Sequence, residues 1–328
     1  MSVQLRNLLK NHKWKWLTVG GVCTSIFLIK MYRRGPTCPT KATIPGKTVV
    51  LTGANCGLGR ATAVELAKRK ARIILACRDT RAAEDTVKYI RRRTKEGELI
   101  VKKLDLASLK SIKSFCLDMV ENEKRIDVLV NNAGVGYCPF MRTDDGFELQ
   151  MGVNHLGHFY LTNMLMEKLK DSAPSRVVVV SSAQYRKGKI DFDTINTDKD
   201  YDGRSGYFNS KLANCLFARE LAKRLQGTGV SVHCIRPGMV FTRLGRHVDY
   251  HPVILALIKI PVWIMLRSPA NGCQTTVYCA VAKELEGVTG RFYGECKEEP
   301  WADVALDDKL ANDLWDYSVK VTNLVEEL

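Results

Sequence analysis

Short apolar, β-branched runs recur along this chain, separated by longer stretches of helical character. The runs fall at 48–51, 72–76, 99–104, 127–130, 177–180, 231–235 and, more weakly, 290–293, with helical segments such as 58–70, 109–123, 147–169 and 207–225 between them. A strand that is apolar at consecutive positions must be buried on both faces, and a parallel sheet wrapped by helices on each side is the arrangement that does this. The pattern predicts an α/β fold, one doubly wound domain of about seven parallel strands spanning 47–328. With 328 residues, 45% of them hydrophobic, the chain can fill the core of one large domain plus a tail, which excludes wholesale disorder, collagen and a polytopic membrane protein. It carries no internal repeat and no low-complexity tract.

The formal charge of +15 would suit nucleic acid if it were spread over the body. It is not: the first 47 residues hold nine basic residues and no acid, leaving 41 basic against 35 acidic in the rest. A nucleic-acid partner is therefore not expected. Within the basic segment, residues 16–29 are uncharged, roughly 21 Å as a helix against a hydrocarbon core of about 30 Å. Flanking Trp14, Met31 and Tyr32 and snorkelling lysines extend its reach. The reading is a basic tail over 1–15, a retained membrane anchor over 16–32 and a Pro-rich linker over 33–46; a cleaved signal peptide and an amphipathic surface helix are the rivals. Eleven scattered cysteines, an odd number with no CxxC, suit a reducing compartment.

The turn after the first run reads Thr52-Gly53-Ala54-Asn55-Cys56-Gly57-Leu58-Gly59 and opens into a helix. Glycines let the backbone approach a pyrophosphate, which then sits at the helix N-terminus. A tight strand-to-helix turn needs glycines too, and methyltransferases carry similar loops. Further on, Tyr207 and Lys211 stand four residues apart, on one helix face. An ammonium beside a phenol of pKa ~10 favours the phenolate and makes a usable acid/base, although a surface Tyr and a solvated Lys give the same pattern. Ser182, at the end of the Val-rich run, could polarise a substrate carbonyl. His155 and His158 share a helix face with no further ligand near them in sequence, so no metal site is expected.

Taken together, these motifs resemble the short-chain dehydrogenase/reductase family from about Lys47 to the C-terminus. Besides the glycine turn, Ser182 and the Tyr207/Lys211 pair, they are Asp105-Leu106, Asn131-Asn132-Ala133-Gly134, Asn154, and Pro237-Gly238 leading to Thr242. The resemblance implies a Rossmann-type domain and a catalytic tetrad: Tyr207 as acid/base, Lys211 holding the nicotinamide ribose, Ser182 orienting the carbonyl and Asn154 supporting a water relay. It also implies cofactor contacts from Gly53, Asn55, Cys56, Gly57, Leu58 and Gly59, with Asp105 near the adenine, Asn132 and Gly134 near the adenosine ribose, and Pro237, Gly238 and Thr242 near the nicotinamide. An NAD user places an acid after the second strand for the ribose 2′-hydroxyl; here stand Cys77 and Arg78, which favours NADP(H), with Arg78 reading the 2′-phosphate. Cys56 departs from the pattern, since some NADP-using relatives carry a basic residue there.

Within the family the chain is most similar to the microsomal retinol dehydrogenase group, through phrases such as Ala76-Cys77-Arg78-Asp79 and Gly152-Val153-Asn154-His155-Leu156-Gly157-His158-Phe159. That resemblance implies reduction of retinaldehyde to retinol, or the reverse. Residues 252–266 carry only Lys259 as a charge, which suits a lid over a lipophilic substrate or, equally, core or dimer packing. The expected partners are a lipophilic small molecule and a lipid bilayer, with a second copy of the chain left open. Endoplasmic reticulum with the body facing the cytosol is the expected location and a mitochondrial membrane the alternative. The competing function is a catalytically idle NADP(H)-binding regulatory or assembly module.

Overall fold

The computed structural model describes residues 13–240, 244 and 264–324. Helix α1 (Lys13–Arg33) is followed by β1 (Thr48–Thr52), α2 (Gly57–Lys68), β2 (Arg72–Cys77), α3 (Thr80–Arg91), β3 (Glu98–Lys103), α4 (Leu109–Asn122) and β4 (Val128–Asn131). Then come α5 (Leu149–Met151), a π-helical turn (Gly152–Leu156), α6 (Gly157–Met164), α7 (Met166–Asp171), β5 (Ser175–Val180), α8 (Gly203–Arg224) and β6 (Val230–Arg236). The chain continues through α9 (Pro269–Gly272), α10 (Gln274–Val281), β7 (Arg291–Gly294), β8 (Lys297–Glu299) and α11 (Asp308–Val321).

One sheet has the order β3-β2-β1-β4-β5-β6-β7-β8. Leu51 of β1 is flanked by Leu75 of β2 and Val130 of β4, both in parallel register. Neighbouring strand residues face opposite layers, as a period of two demands. Val50, Ile74, Leu129, Val177 and Val179 pack with α4, α6, α8 and α11, whereas Val49, Leu51, Ile73, Val130 and Val178 pack with α2, α3 and α10. This double burial is the reason the strands read as unbroken apolar runs. The seven expected parallel strands are β1–β7, and among the described residues β8 adds an eighth, antiparallel strand at the edge on β7. Its sequence, Lys297-Glu298-Glu299, is fully charged, so hydropathy gives no signal for it.

The segment at 147–169, expected as one helix, is broken into α5, the π turn, α6 and α7. Glu148 caps α5, accepting the N–H groups of Gln150 and Met151 at 2.9 and 2.7 Å, and Leu165 leaves helical geometry between α6 and α7. At the start of the described chain, α1 carries Lys13, Lys15, Lys30 and Arg33. No helix among the described residues is long and apolar enough to cross a membrane. Phe27, Leu28, Ile29, Met31 and Tyr32 are solvent-exposed on it, and Lys30 Nζ donates to the Leu266 carbonyl at 3.2 Å. The following stretch lies along the body: Arg69 donates to the carbonyls of Thr40 and Ala42 (2.8 and 2.7 Å), and Cys38 N–H donates to Gln274 Oε1 (2.9 Å). Thr242 and residues 252–263 of the apolar stretch fall outside the described residues.

Candidate active site

In a parallel sheet the connections after two adjacent strands can lead to opposite faces, and the crevice this opens at their carboxyl ends is where ligands bind. Here that point lies between β1 and β4, whose following helices cover different layers. The glycine turn lines one side of it. Gly53 has a φ of +66°, and a side chain at Gly59 would collide with the Gly53 carbonyl, so the turn closes this tightly only with glycine at both. No side chain caps α2 at Cys56. The first N–H groups of that helix, from Gly57, Leu58 and Gly59, are left to an anion.

Asn132 and Gly134 line the other side, after β4. Asn132 Nδ2 donates to the Thr52 carbonyl at 2.8 Å, while its Oδ1 is buried with no donor among the described residues. Such an acceptor suits a sugar hydroxyl. The turn, the open helix end and this oxygen fit a dinucleotide. Arg78 is exposed directly after β2; Cys77 is buried with its thiol against the N–H groups of Ala54 and Asn55, and Asp79 caps α3 by accepting the Ala82 N–H at 3.0 Å. Asp105 follows β3, its carboxylate accepting the Ala107 N–H at 3.0 Å. Pro237 and Gly238 follow β6, with Gly238 against Arg267.

Tyr207 and Lys211 project from α8 and are 5% and 4% exposed. Lys211 Nζ lies 5.7 Å from the Tyr207 ring centre and donates to the Val180 carbonyl at 3.1 Å. Burial lowers the lysine to about 8. The same burial raises the Tyr207 phenol above its ordinary value, with a hydrogen bond from Ser182 pulling it back. In the free protein burial is the largest influence on the phenol. Ser182 follows β5 and accepts the Gln184 N–H at 3.2 Å, which fixes its position.

Asn154 lies in the π turn, a geometry that often marks a functional segment. Its side chain is committed to structure: Oδ1 accepts the Val135 N–H (2.8 Å), and Nδ2 donates to the Val135 carbonyl (2.9 Å) and to Ser210 Oγ (2.9 Å). Ser210 Oγ in turn donates to the Tyr207 carbonyl at 2.8 Å. Asn154 thus ties the loop after β4 to the Tyr207 helix. Sequence reasoning missed two participants. His158 Nδ1 donates to the Asn154 carbonyl (3.0 Å), which leaves Nε2 to accept from Thr52 Oγ1 (2.9 Å). Tyr137 stacks on Tyr207, ring centres 5.0 Å apart. The i,i+4 spacing of His158 from Asn154 was the available signal for the first; no sequence signal marks the second.

A family model described as short chain dehydrogenase matches residues 47–251. Retinol dehydrogenase 14 of Homo sapiens is 49% identical over 294 residues, covering 86% of this chain and 88% of that protein. Among solved structures, an uncharacterised protein from Mycobacterium paratuberculosis superposes with a TM-score of 0.71 at 34% identity, covering 90% of this chain and all of the other. The Pseudomonas aeruginosa RhlG/NADP active-site complex does so with 0.61 at 25% identity, over 76% and 94%. The glycine turn, the β1–β4 crevice and the group formed by Ser182 with the buried Tyr207 and Lys211 agree with these matches: the chain belongs to the short-chain dehydrogenase/reductase family, in its retinol dehydrogenase group.

Proposed function

We propose that this protein is a membrane-attached oxidoreductase that uses NADP(H) to interconvert a lipophilic aldehyde and its alcohol, with retinaldehyde reduction to retinol as its reaction. The observation that carries this is the convergence of Ser182, Tyr207 and Lys211 above a glycine turn that fits a dinucleotide. The name of the 49% identical relative supports the retinoid. The exposed Arg78 supports the 2′-phosphate, since neither Cys77 nor Asp79 stands as a free acid for a 2′-hydroxyl.

The nicotinamide, when bound, supplies or accepts the hydride. Ser182 Oγ–H donates to the substrate oxygen and holds it beside Tyr207. A phenol kept protonated by burial is the right donor for a developing alkoxide, and its Oη delivers the proton there. The phenolate left behind is stabilised by the Lys211 ammonium. Both ends of the Asn154 amide are committed to protein partners, so Asn154 serves this pair by holding the loop after β4 to the Tyr207 helix.

Tyr207→Phe keeps the ring and removes the proton: turnover of all-trans-retinaldehyde, followed by NADPH absorbance at 340 nm, should fall by ~10²-fold or more while NADPH still binds. Near-normal turnover would remove Tyr207 from the chemistry.

Lys211→Met should also abolish turnover, yet stabilise the fold at pH 7. A lysine at about 8 when folded and 10.5 when unfolded makes the unfolded chain bind more protons between those values. Wild-type stability therefore rises with pH across that window relative to the variant, by about 3 kcal/mol in all. Urea midpoints at pH 7 and pH 10.5 measure the difference; a constant gap between the two proteins would contradict the buried ammonium.

Arg78→Ala should weaken NADPH roughly ten- to a hundredfold, the scale of a charge-assisted phosphate contact, and leave NADH almost untouched. Equal losses for both would make Arg78 a structural residue. For the membrane, the supporting features are the basic flanks of 16–29 and the exposed apolar side chains of α1. The full chain should resist carbonate extraction from endoplasmic reticulum, and deletion of residues 1–34 should release a folded, active body. Protease added to sealed microsomes should digest that body; protection would place it in the lumen instead.

A further inference from the structure

Tyr137 has a φ of +57°, a left-handed conformation that glycine adopts freely and a bulky side chain does at a cost. The residue before it is Gly136, so the chain had a residue suited to such a turn one position away. The core does not explain the cost, because Tyr137 is only partly buried. Its ring meets Tyr207, with the ring centres 5.0 Å apart and the planes tilted by 34°. Gly136 is pressed against the same ring, since a Cβ there would lie 3.0 Å from Tyr207 Cδ2 and 3.0 Å from Leu244 Cγ.

The loop is also held firmly against the helix that carries Tyr207. Cys138 is buried, and its carbonyl packs against Gly203, where a side chain would collide with it at the first turn of α8. That turn is clamped in its own right: Gln150 Nε2 donates to the Gly203 carbonyl (2.9 Å) and to Tyr201 Oη (2.6 Å), and Tyr201 donates to Glu148 Oε1 (2.8 Å). Tyr137 is therefore mounted on a rigid support at a fixed distance from Tyr207.

We propose that Tyr137 is a specificity-determining residue whose ring selects aldehydes with the carbonyl conjugated to a flat apolar chain over saturated aldehydes. This rests on the reading of Ser182, Tyr207 and Lys211 as the reducing site. A carbonyl oxygen that reaches both Ser182 and Tyr207 brings its next few carbons alongside whatever borders Tyr207, and among the described residues that border includes Gly136, Tyr137 and Leu244. A conjugated chain is planar and offers a π face to an aromatic ring; a saturated chain of the same length does not.

Cinnamaldehyde and 3-phenylpropanal share a carbon skeleton and differ only in this conjugation, so the ratio of their kcat/KM values reads the selection directly. The variants are Tyr137→Asn and Tyr137→Gly, both at home at positive φ and so expected to fold, with Tyr137→Phe keeping the ring. The ratio should fall roughly three- to tenfold in Asn and Gly, the scale of one aromatic contact, through a higher KM for cinnamaldehyde, and persist in Phe. An unchanged ratio in Asn and Gly overturns the proposal alone, as does its collapse in Phe. Equal loss on both aldehydes also overturns it, assigning the ring to holding Tyr207. Failure of the wild-type protein to reduce either aldehyde, or retinaldehyde, overturns the catalytic reading and the proposal with it.

Discussion

One hydroxyl at the end of β1 joins the parts of this site. Thr52 Oγ1 accepts the N–H groups of Asn132 and Ala133, each at 2.9 Å, and its one proton faces His158 Nε2 at 2.9 Å, with the Val130 carbonyl a longer second acceptor at 3.3 Å. That exhausts a hydroxyl's capacity of one donor and two acceptors. Through it the glycine turn, the loop after β4 and the π turn that carries Asn154 are locked together, and through Asn154 and Ser210 the lock extends to the Tyr207 helix. Burial holds His158 at about 4, so its ring stays neutral with Nε2 free to accept across the physiological range. An apolar core could fill the same space. It could not hold three backbone segments in one relative orientation, which a dinucleotide spanning a crevice requires.

The features legible in sequence are those governed by local rules. Consecutive Val, Ile and Leu in β1, β2 and β5 announce strands buried on both faces, and Gly53 and Gly59 announce a turn closed against its own backbone. Tyr207 and Lys211 are legible because four residues make one helical turn. The features that escaped depend on distant packing. β8 pairs through backbone groups with side chains that read as a surface loop. The break in 147–169 follows from Asn154 bonding to Val135 and Ser210, nineteen and fifty-six residues away, contacts that periodicity cannot register. Tyr137 is the extreme case, since its place is set by a backbone angle that no property of tyrosine favours.

Burial acts in opposite senses on two groups one helical turn apart, a neutral acid and a cation. It raises the phenol and lowers the ammonium because in each case the charged form loses water. The two penalties are relieved together if the proton leaves Tyr207 while Lys211 keeps its charge, for the ion pair so formed is worth more in a dry site than in water. A buried phenol–ammonium pair is then costly to hold in the resting protein and favourable once a proton has been delivered. The fold bears that cost in the free state, with Val180 offering a single carbonyl to the ammonium, and the relief comes at the step where charge develops on the substrate oxygen. In the direction of reduction the phenol starts protonated, which is the form burial favours. The phenolate is the form that burial disfavours, and a hydrogen bond from Ser182 offsets part of that cost. Burial in the free pocket therefore favours the protonated, proton-donating form of Tyr207.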